Sequence, residues 1–248
     1  MLTVPSFFFG LLGLSVGSFG NVLIHRIHTG ESIGGRSHCP HCGKLIRWFD
    51  LIPLVSFLFL RGKCRHCKKR ISAQYPLVEL GSAGLFLLAL ALTPDDPWIA
   101  LLQAIALESL FLGAVYDALH EQLPDLFTWP IIVVGAILLV FRGDILSSIG
   151  GALTPLVWFG GQWLLSRGKL VGTGDIFLAS ALGWWLGFKG SLILLFMSYI
   201  SGAVIILLLL ATRVLSLRQK RIPFGPFLAI GGLAGLLGIG EQLIWFVR

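Results

Sequence analysis

The sequence predicts an all-α polytopic membrane protein, with about eight transmembrane helices and a small cytoplasmic insert after the first. Three observations predict it. Of its 248 residues, 56% are hydrophobic and only 12% charged, where soluble domains carry roughly 25% charged. The apolar residues come in long runs, on the scale of the about 20 residues needed to cross the hydrocarbon core. The charge is gathered into one segment instead of being spread. Mean hydropathy is +0.87, and the same composition excludes collagen-like, coiled-coil and disordered classes.

Taken in order, the apolar runs cover about 5–24, 77–93, 98–116, 127–141, 145–166, 176–188, 190–212 and 225–247. The first has no basic residue before it and a basic segment after it, which describes a retained anchor better than a cleaved signal peptide. Ten of the 19 basic residues lie between Arg26 and Arg70 beside only Glu31 and Asp50, so this segment carries +8 of the net +7 and the remainder carries −1. With the segment placed in the cytoplasm, alternation gives that side sixteen Lys and Arg, including Arg167, Lys169, Arg213, Arg218, Lys220 and Arg221. The outer side keeps three, Arg142, Lys189 and Arg248. That is a strong positive-inside asymmetry. It puts both termini and the turn Pro94-Asp95-Asp96-Pro97 outside. Runs four and six are short, but dropping either one breaks the alternation. The expected organisation is a first transmembrane helix at 1–25, the insert at 26–76 and a membrane core at 77–248. The glycine pairs Gly13/Gly17, Gly183/Gly187 and Gly231/Gly235 sit one turn apart, a spacing that lets helices pack closely within one bundle.

The insert contains the chain's only four cysteines, in Cys39-Pro-His-Cys42 and Cys64-Arg-His-Cys67. Each C-x-x-C turn offers two sulfurs, and two such turns match a four-thiolate structural zinc site with no open coordination position. A pair of disulfides is the competing reading, disfavoured in a reducing cytosol. An insert of about 50 residues is too small for a large core of its own, so a metal staple is physically expected. His41 and His66 inside the turns read as solvated. The basic charge suits anionic lipid at the membrane surface and sets topology. No aromatic or groove-reading element accompanies it, so no nucleic-acid partner is expected.

Two aspartates stand at membrane depth, where an ionisable group is a functional candidate. Asp117 ends the third run in Ala114-Val115-Tyr116-Asp117. Asp175 opens the sixth in Gly172-Thr173-Gly174-Asp175. Charge counting alone puts both at cytoplasmic helix ends. Two carboxylates brought together cannot both ionise cheaply, which leaves one base and one acid, as water attack on a peptide carbonyl requires. Asp175 could instead be a helix N-cap; Asp117, at a helix C-terminus, faces an unfavourable dipole, so capping does not explain it. Asp125, beside Pro124, reads as a turn residue. Glu108, about 13 Å up the helix from Asp117, reads as a packing or relay residue, and Glu79 faces either headgroups or the site. His25, His28, His38 and His120 form no triad-like setting, and no Walker or dinucleotide fingerprint occurs.

These residues, taken together, resemble the bacterial type IV prepilin peptidases, membrane aspartic proteases of the G-x-G-D type that are often also N-methyltransferases. The resemblance covers nearly the whole chain. It runs through Gly17-Ser18-Phe19-Gly20-Asn21-Val22, both cysteine turns, Ile52-Pro53-Leu54-Val55-Ser56 and Tyr75-Pro76-Leu77-Val78-Glu79. It continues through Asp117, Leu123-Pro124-Asp125, the G-x-G-D motif and Pro223-Phe224-Gly225-Pro226-Phe227-Leu228. The resemblance implies Asp117 and Asp175 as the catalytic pair and Cys39, Cys42, Cys64 and Cys67 as structural Zn2+ ligands. It also implies a multi-pass bacterial inner-membrane enzyme that removes the basic leader of prepilins or pseudopilins after a glycine, on the cytoplasmic side. The new N-terminal residue is then methylated with S-adenosylmethionine, whose site the resemblance does not locate. Phe177 stands where a lysine is common. The alternative is a general intramembrane aspartic protease without methyltransferase activity, since Tyr116-Asp117 with G-x-G-D is also similar to the presenilin type, though that type needs no four-cysteine insert. A proton-coupled transporter using Asp117, Asp175 and Glu108 would need a polar pathway through the bundle, whereas both aspartates lie at one edge.

Overall fold

The computed structural model of the chain describes residues 4–212 and 222–239. The end of the eighth expected span, 240–247, and Arg213, Arg218, Lys220, Arg221 and Arg248 of the charge count lie outside them. Eight helices follow in order: α1 (Val4–Thr29), α2 (Val55–Phe59), α3 (Gln74–Leu92), α4 (Pro97–His120), α5 (Trp129–Arg142), α6 (Ile145–Ser166), α7 (Thr173–Ala211) and α8 (Gly225–Leu236). Short 3-10 turns occupy Trp48–Leu51 and Asp125–Phe127. Among the described residues the only β pairing is two isolated bridges in the insert. The chain forms two compact units, Met1–Ala104 and Ile105–Arg248.

In the first unit α1 packs on α3 through the glycines expected to allow close approach. A Cβ at Gly13 would stand 2.7 Å from Ala83 Cα, and one at Gly17 2.7 Å from Ser82 Cβ. One turn on, buried Asn21 donates to the Tyr75 carbonyl (3.1 Å) and accepts from Gln74 Nε2 (3.3 Å). This ties the end of the insert to the first helix. The α1 helix runs five residues past the expected span and presents Arg26 to the insert. There the guanidinium donates to the carbonyls of Ser32, Ile33, Gly34, Gly35 and Arg36 at 2.6–3.4 Å.

The second unit turns on α7. Among the described residues, five helices are long and apolar enough to cross a membrane: α1, α3, α4, α5 with its leading 3-10 turn, and α7. At 39 residues α7 would reach about 58 Å if straight, nearly twice the hydrocarbon thickness of about 30 Å. It is not straight. Gly187 has φ 77° and ψ −179°, a conformation essentially reserved for glycine. The neighbours on α6 show what this does. Gly151 meets Gly183 and Gly187, and Ser147 Oγ accepts the Phe188 N–H at 3.1 Å. Further along α6, Phe159 stacks on Tyr199 at 6.0 Å. From 147 to 159 is the same number of residues as from 187 to 199, so the chain after Gly187 runs parallel to α6 while the chain before it runs antiparallel. Therefore α7 is a fold-back of two arms, 173–186 and 188–211, corresponding to the two apolar runs at 176–188 and 190–212. The α8 helix packs antiparallel on the second arm: Gly231 lies against Leu194 and Ser198, and Gly235 against Gly190. All three glycine pairs thus pack within the chain. With α6, at 22 residues, and α8, the passes reach the expected eight. The protein is an all-α, multi-pass membrane protein.

Candidate active site and metal centre

Asp117 sits one turn before the end of α4 and is 5% exposed. Its Oδ2 accepts the backbone N–H of Gly225 at 2.7 Å, at the start of α8. A Cβ on Gly225 would lie 2.8 Å from that oxygen, so only glycine lets the backbone come this close. Asp175 is the third residue of α7, and its Oδ2 accepts the N–H of Gly172 at 3.2 Å. It therefore caps its own helix from the N3 position, where the macrodipole favours a carboxylate, and is not the N-cap residue. The two carboxylates are close enough for the charge of Asp117 to act on Asp175. Leu123, in the turn after α4, links their supports. Its Cβ lies 3.1 Å from where a Cβ on Gly174 would be, and its Cδ2 lies 3.7 Å from the equivalent position on Gly113. Three chain segments thus converge on the pair, from the ends of α4, α7 and α8. Gly225, the hydrogen-bond partner of Asp117, has no signal in the sequence beyond the Pro223-Phe224-Gly225-Pro226 motif.

Glu121, one turn on from Asp117, is an acid whose charge also acts on it. Asp125 opens the 3-10 turn with an exposed side chain, as a turn residue should. Glu108 is buried mid-helix. Glu79 is buried, and its Oε2 accepts the Leu54 N–H of the insert at 2.8 Å. Phe177, in place of the lysine, sets its ring edge-on to Trp129 at 6.2 Å.

The four cysteines gather with all Sγ atoms within 4.8 Å of one another, an arrangement that could hold a metal ion. Cys39 and Cys67 Sγ are 3.9 Å apart, too far for a disulfide and close to the about 3.8 Å edge of a tetrahedron with metal–sulfur bonds of about 2.3 Å. His41 and His66 are exposed and stand outside the cluster. The two turns repeat each other at an offset of 25 residues. Gly43 N–H bonds the Cys39 carbonyl and Lys68 N–H the Cys64 carbonyl; Cys39 and Cys64 N–H bond the Lys44 and Lys69 carbonyls. Bridges His38–Leu45 and Lys63–Arg70 close each turn. The backbone N–H groups of Cys67 and His66 pull the Cys64 thiol down to about 7. The Lys44 N–H acts in the same sense on Cys42, but desolvation and the thiols of Cys39 and Cys67 outweigh it and push that group up to about 11. Four crowded thiols that cannot all ionise cheaply are the donor set a divalent, thiophilic cation satisfies.

An all-α membrane protein with a buried aspartate, a half-buried one within its electrostatic reach and a four-cysteine cluster that could hold a metal ion is, by class, a membrane enzyme. The comparisons define it further. Residues 11–93 match the family model of the bacterial peptidase A24 N-terminal domain, and residues 104–207 that of the type IV leader peptidase family. The prepilin leader peptidase/N-methyltransferase of Burkholderia pseudomallei (strain 1026b) is 35% identical over 263 residues, spanning 91% of this chain and 83% of the relative. A leader peptide-processing enzyme for type 4 prepilin-like proteins from Escherichia coli O78:H11 is 35% identical over 90% of each chain. A prepilin leader peptidase/N-methyltransferase of Aeromonas hydrophila is 34% identical over 96% of this chain and 92% of its own. No solved structure matches. The chain belongs to the type IV leader peptidase family.

Proposed function

We propose that this protein is a prepilin leader peptidase that hydrolyses the leader peptide bond with Asp117 and Asp175 and methylates the new N-terminus. The observation that carries the reading is the pair itself: two carboxylates within electrostatic reach, one anchored by the Gly225 N–H and the other at the start of α7. One carboxylate, ionised, takes a proton from water as the water attacks the scissile carbonyl. The other, protonated, donates to the carbonyl oxygen; as the tetrahedral intermediate collapses it takes that proton back, and the first carboxylate passes the proton from water to the departing amine. No covalent enzyme intermediate is needed. The substrates are type IV prepilins or pseudopilins, cut after a glycine at the cytoplasmic face of a bacterial inner membrane. That sidedness is supported by the sixteen-to-three distribution of Lys and Arg.

Zn2+ held by Cys39, Cys42, Cys64 and Cys67 would cross-link the two halves of the insert and take no part in hydrolysis, since every ligand position is filled. S-adenosylmethionine supplies an electrophilic methyl group for the exposed amine. The match to the bacterial N-terminal domain, with its four cysteines, favours this reading over a general intramembrane protease. Asp117→Asn and Asp175→Asn are the direct test. Each should lower prepilin cleavage by at least a thousandfold while leaving metal content unchanged; a single variant that still cleaves at a substantial rate overturns the assignment.

A further inference from the structure

The insert carries an apolar stretch that neither the cysteine cluster nor the aspartate pair uses. Residues 48–60 hold a single charged side chain, Asp50, and the Arg65 guanidinium neutralises it through two hydrogen bonds at 2.6 and 2.8 Å. An apolar run of this length is too short to cross a bilayer; it suits a helix buried in a core or an element lying in the membrane interface. A core does not account for it. Trp48, Leu58 and Phe59 are 77%, 73% and 82% exposed. In α2, Val55, Leu58 and Phe59 fall at i, i+3 and i+4, so the outward face of the helix is wholly apolar. Phe57 turns the other way, against Gly62. Exposed apolar surface gathered in this way marks a protein or a membrane contact.

The depth of that face decides between the two. Leu54, directly before α2, donates its N–H to Glu79 Oε2 at 2.8 Å, and a Cβ on Gly17 would lie 3.0 Å from Glu79 Cα. Gly17 stands seven residues, about 10 Å, inside the apolar run of α1 and twelve residues, about 18 Å, before the end of that helix. The start of α2 is therefore level with the membrane-spanning part of α1. Leu77 and Leu80, on the turn of α3 that carries Glu79, are also exposed and apolar, as a lipid-facing helix surface is. The charges flank the stretch instead of interrupting it, with Arg47 before it and Arg61 and Lys63 after it. Two of the neighbouring guanidinium groups, Arg47 and Arg65, lie over the Phe49 ring at 5.8 and 5.3 Å from its centroid. Long cationic side chains beside apolar surface reach back to headgroups, and tryptophan favours that boundary.

We infer that residues 48–60 form an in-plane membrane element. Trp48 and the Val55, Leu58 and Phe59 face of α2 lie in the interface of the leaflet on the insert's side, and their basic flanks select anionic headgroups there. The insert is thus divided: its two cysteine turns stand in water, while the chain between them is seated in lipid. The inference is independent of the catalytic and methyltransfer readings and requires only that α1 and α3 cross the membrane.

The test uses the full chain reconstituted in vesicles of phosphatidylglycerol and phosphatidylethanolamine. A genetically encoded fluorescent amino acid replaces Phe59, or, as references, Leu80 on α3 or His66 in the second cysteine turn. Lipids brominated on the acyl chain quench a fluorophore that lies among them, and aqueous iodide quenches one in water. The label at 59 should lose about half or more of its emission to brominated lipid and be nearly insensitive to iodide, as at 80. The label at 66 should show the reverse. Iodide quenching at 59, in a protein with the melting temperature of wild type, overturns the inference. So does protection from both quenchers; if dilution of the protein in lipid lifts that protection, the face belongs to a second copy of the chain. Where the label at 59 disturbs folding, Trp48→Phe in the unlabelled chain decides. It keeps an aromatic ring beside Phe49 and should lower the share of tryptophan emission that brominated lipid quenches; an unchanged share overturns the inference.

Discussion

Gly225 and Asp117 show how much of this chemistry depends on one main-chain donor. The Gly225 N–H is the hydrogen-bond partner that orients the Asp117 carboxylate. Adding a methyl group at Gly225 pushes backbone and carboxylate apart, because the new carbon would stand 2.8 Å from Oδ2. Gly225→Ala should therefore reduce prepilin cleavage at least tenfold with little change in melting temperature, read as initial rates at saturating substrate. Asp175 behaves differently, because its oxygen also caps α7 through Gly172. Asp175→Asn keeps an acceptor at that position and should cost less than about 1 kcal/mol of stability, while Asp175→Ala loses both the cap and the charge. Thermal melts of the two variants should differ even though both are inactive.

At the scale of the element, the insert is a repeated turn whose two copies are not equally comfortable. The left-handed position is Gly43 in the first, with φ 67°, and Lys68 in the second, with φ 60°. An L-residue there costs roughly 1–2 kcal/mol, so Lys68→Gly should stabilise the insert by about 1 kcal/mol, visible as slower amide exchange across 60–72. Metal retention should depend on pH in one direction. Protons compete for the thiolates, so loss of metal to a chelator should accelerate as pH falls. A separate acid limb belongs to Asp50, whose carboxyl is held below its ordinary range by bidentate hydrogen bonds from Arg65 at 2.6 and 2.8 Å. Since the folded-state value is the lower one, this contribution is complete above the unfolded carboxyl's pKa of about 4. It disappears as pH falls through the lowered value. Asp50→Asn should flatten that limb in an acid titration of the insert.

For the whole molecule, the pass count and the two acids were legible because bilayer thickness and desolvation act on composition directly. The short runs at 127–141 and 176–188 looked doubtful in sequence. The first gains a leading 3-10 turn at Asp125–Phe127, and the second is the first arm of a fold-back whose corner is Gly187. Nothing in the apolar pattern marks the division at Ala104, because it falls inside the uninterrupted α4. Nor did the pattern assign Glu79 to the insert or Gly225 to Asp117: both contacts join residues far apart in the chain, at 25 and 108 positions, and both use a backbone N–H, which has no side-chain signature. Gly187→Ala puts a side chain where φ is 77° and Ser147 is in contact. It should lower the melting temperature clearly, by the equivalent of about 1–3 kcal/mol. Reporter fusions after Arg142 and Arg167 should report opposite sides of the membrane; the same side for both would refute the eight-pass arrangement.

The five carbonyls collected by Arg26 bear on the order in which the protein is made. They belong to residues only six to ten positions downstream, and such short-range closures form early in folding. During synthesis the chain leaves the ribosome N-terminus first, so this loop can close before Cys64 and Cys67 have emerged. The nascent chain then presents Cys39 and Cys42 as a half-site fixed to the end of its first membrane helix, awaiting the second pair. Capture of a metal ion by the four cysteines would then be the step that records completion of the insert.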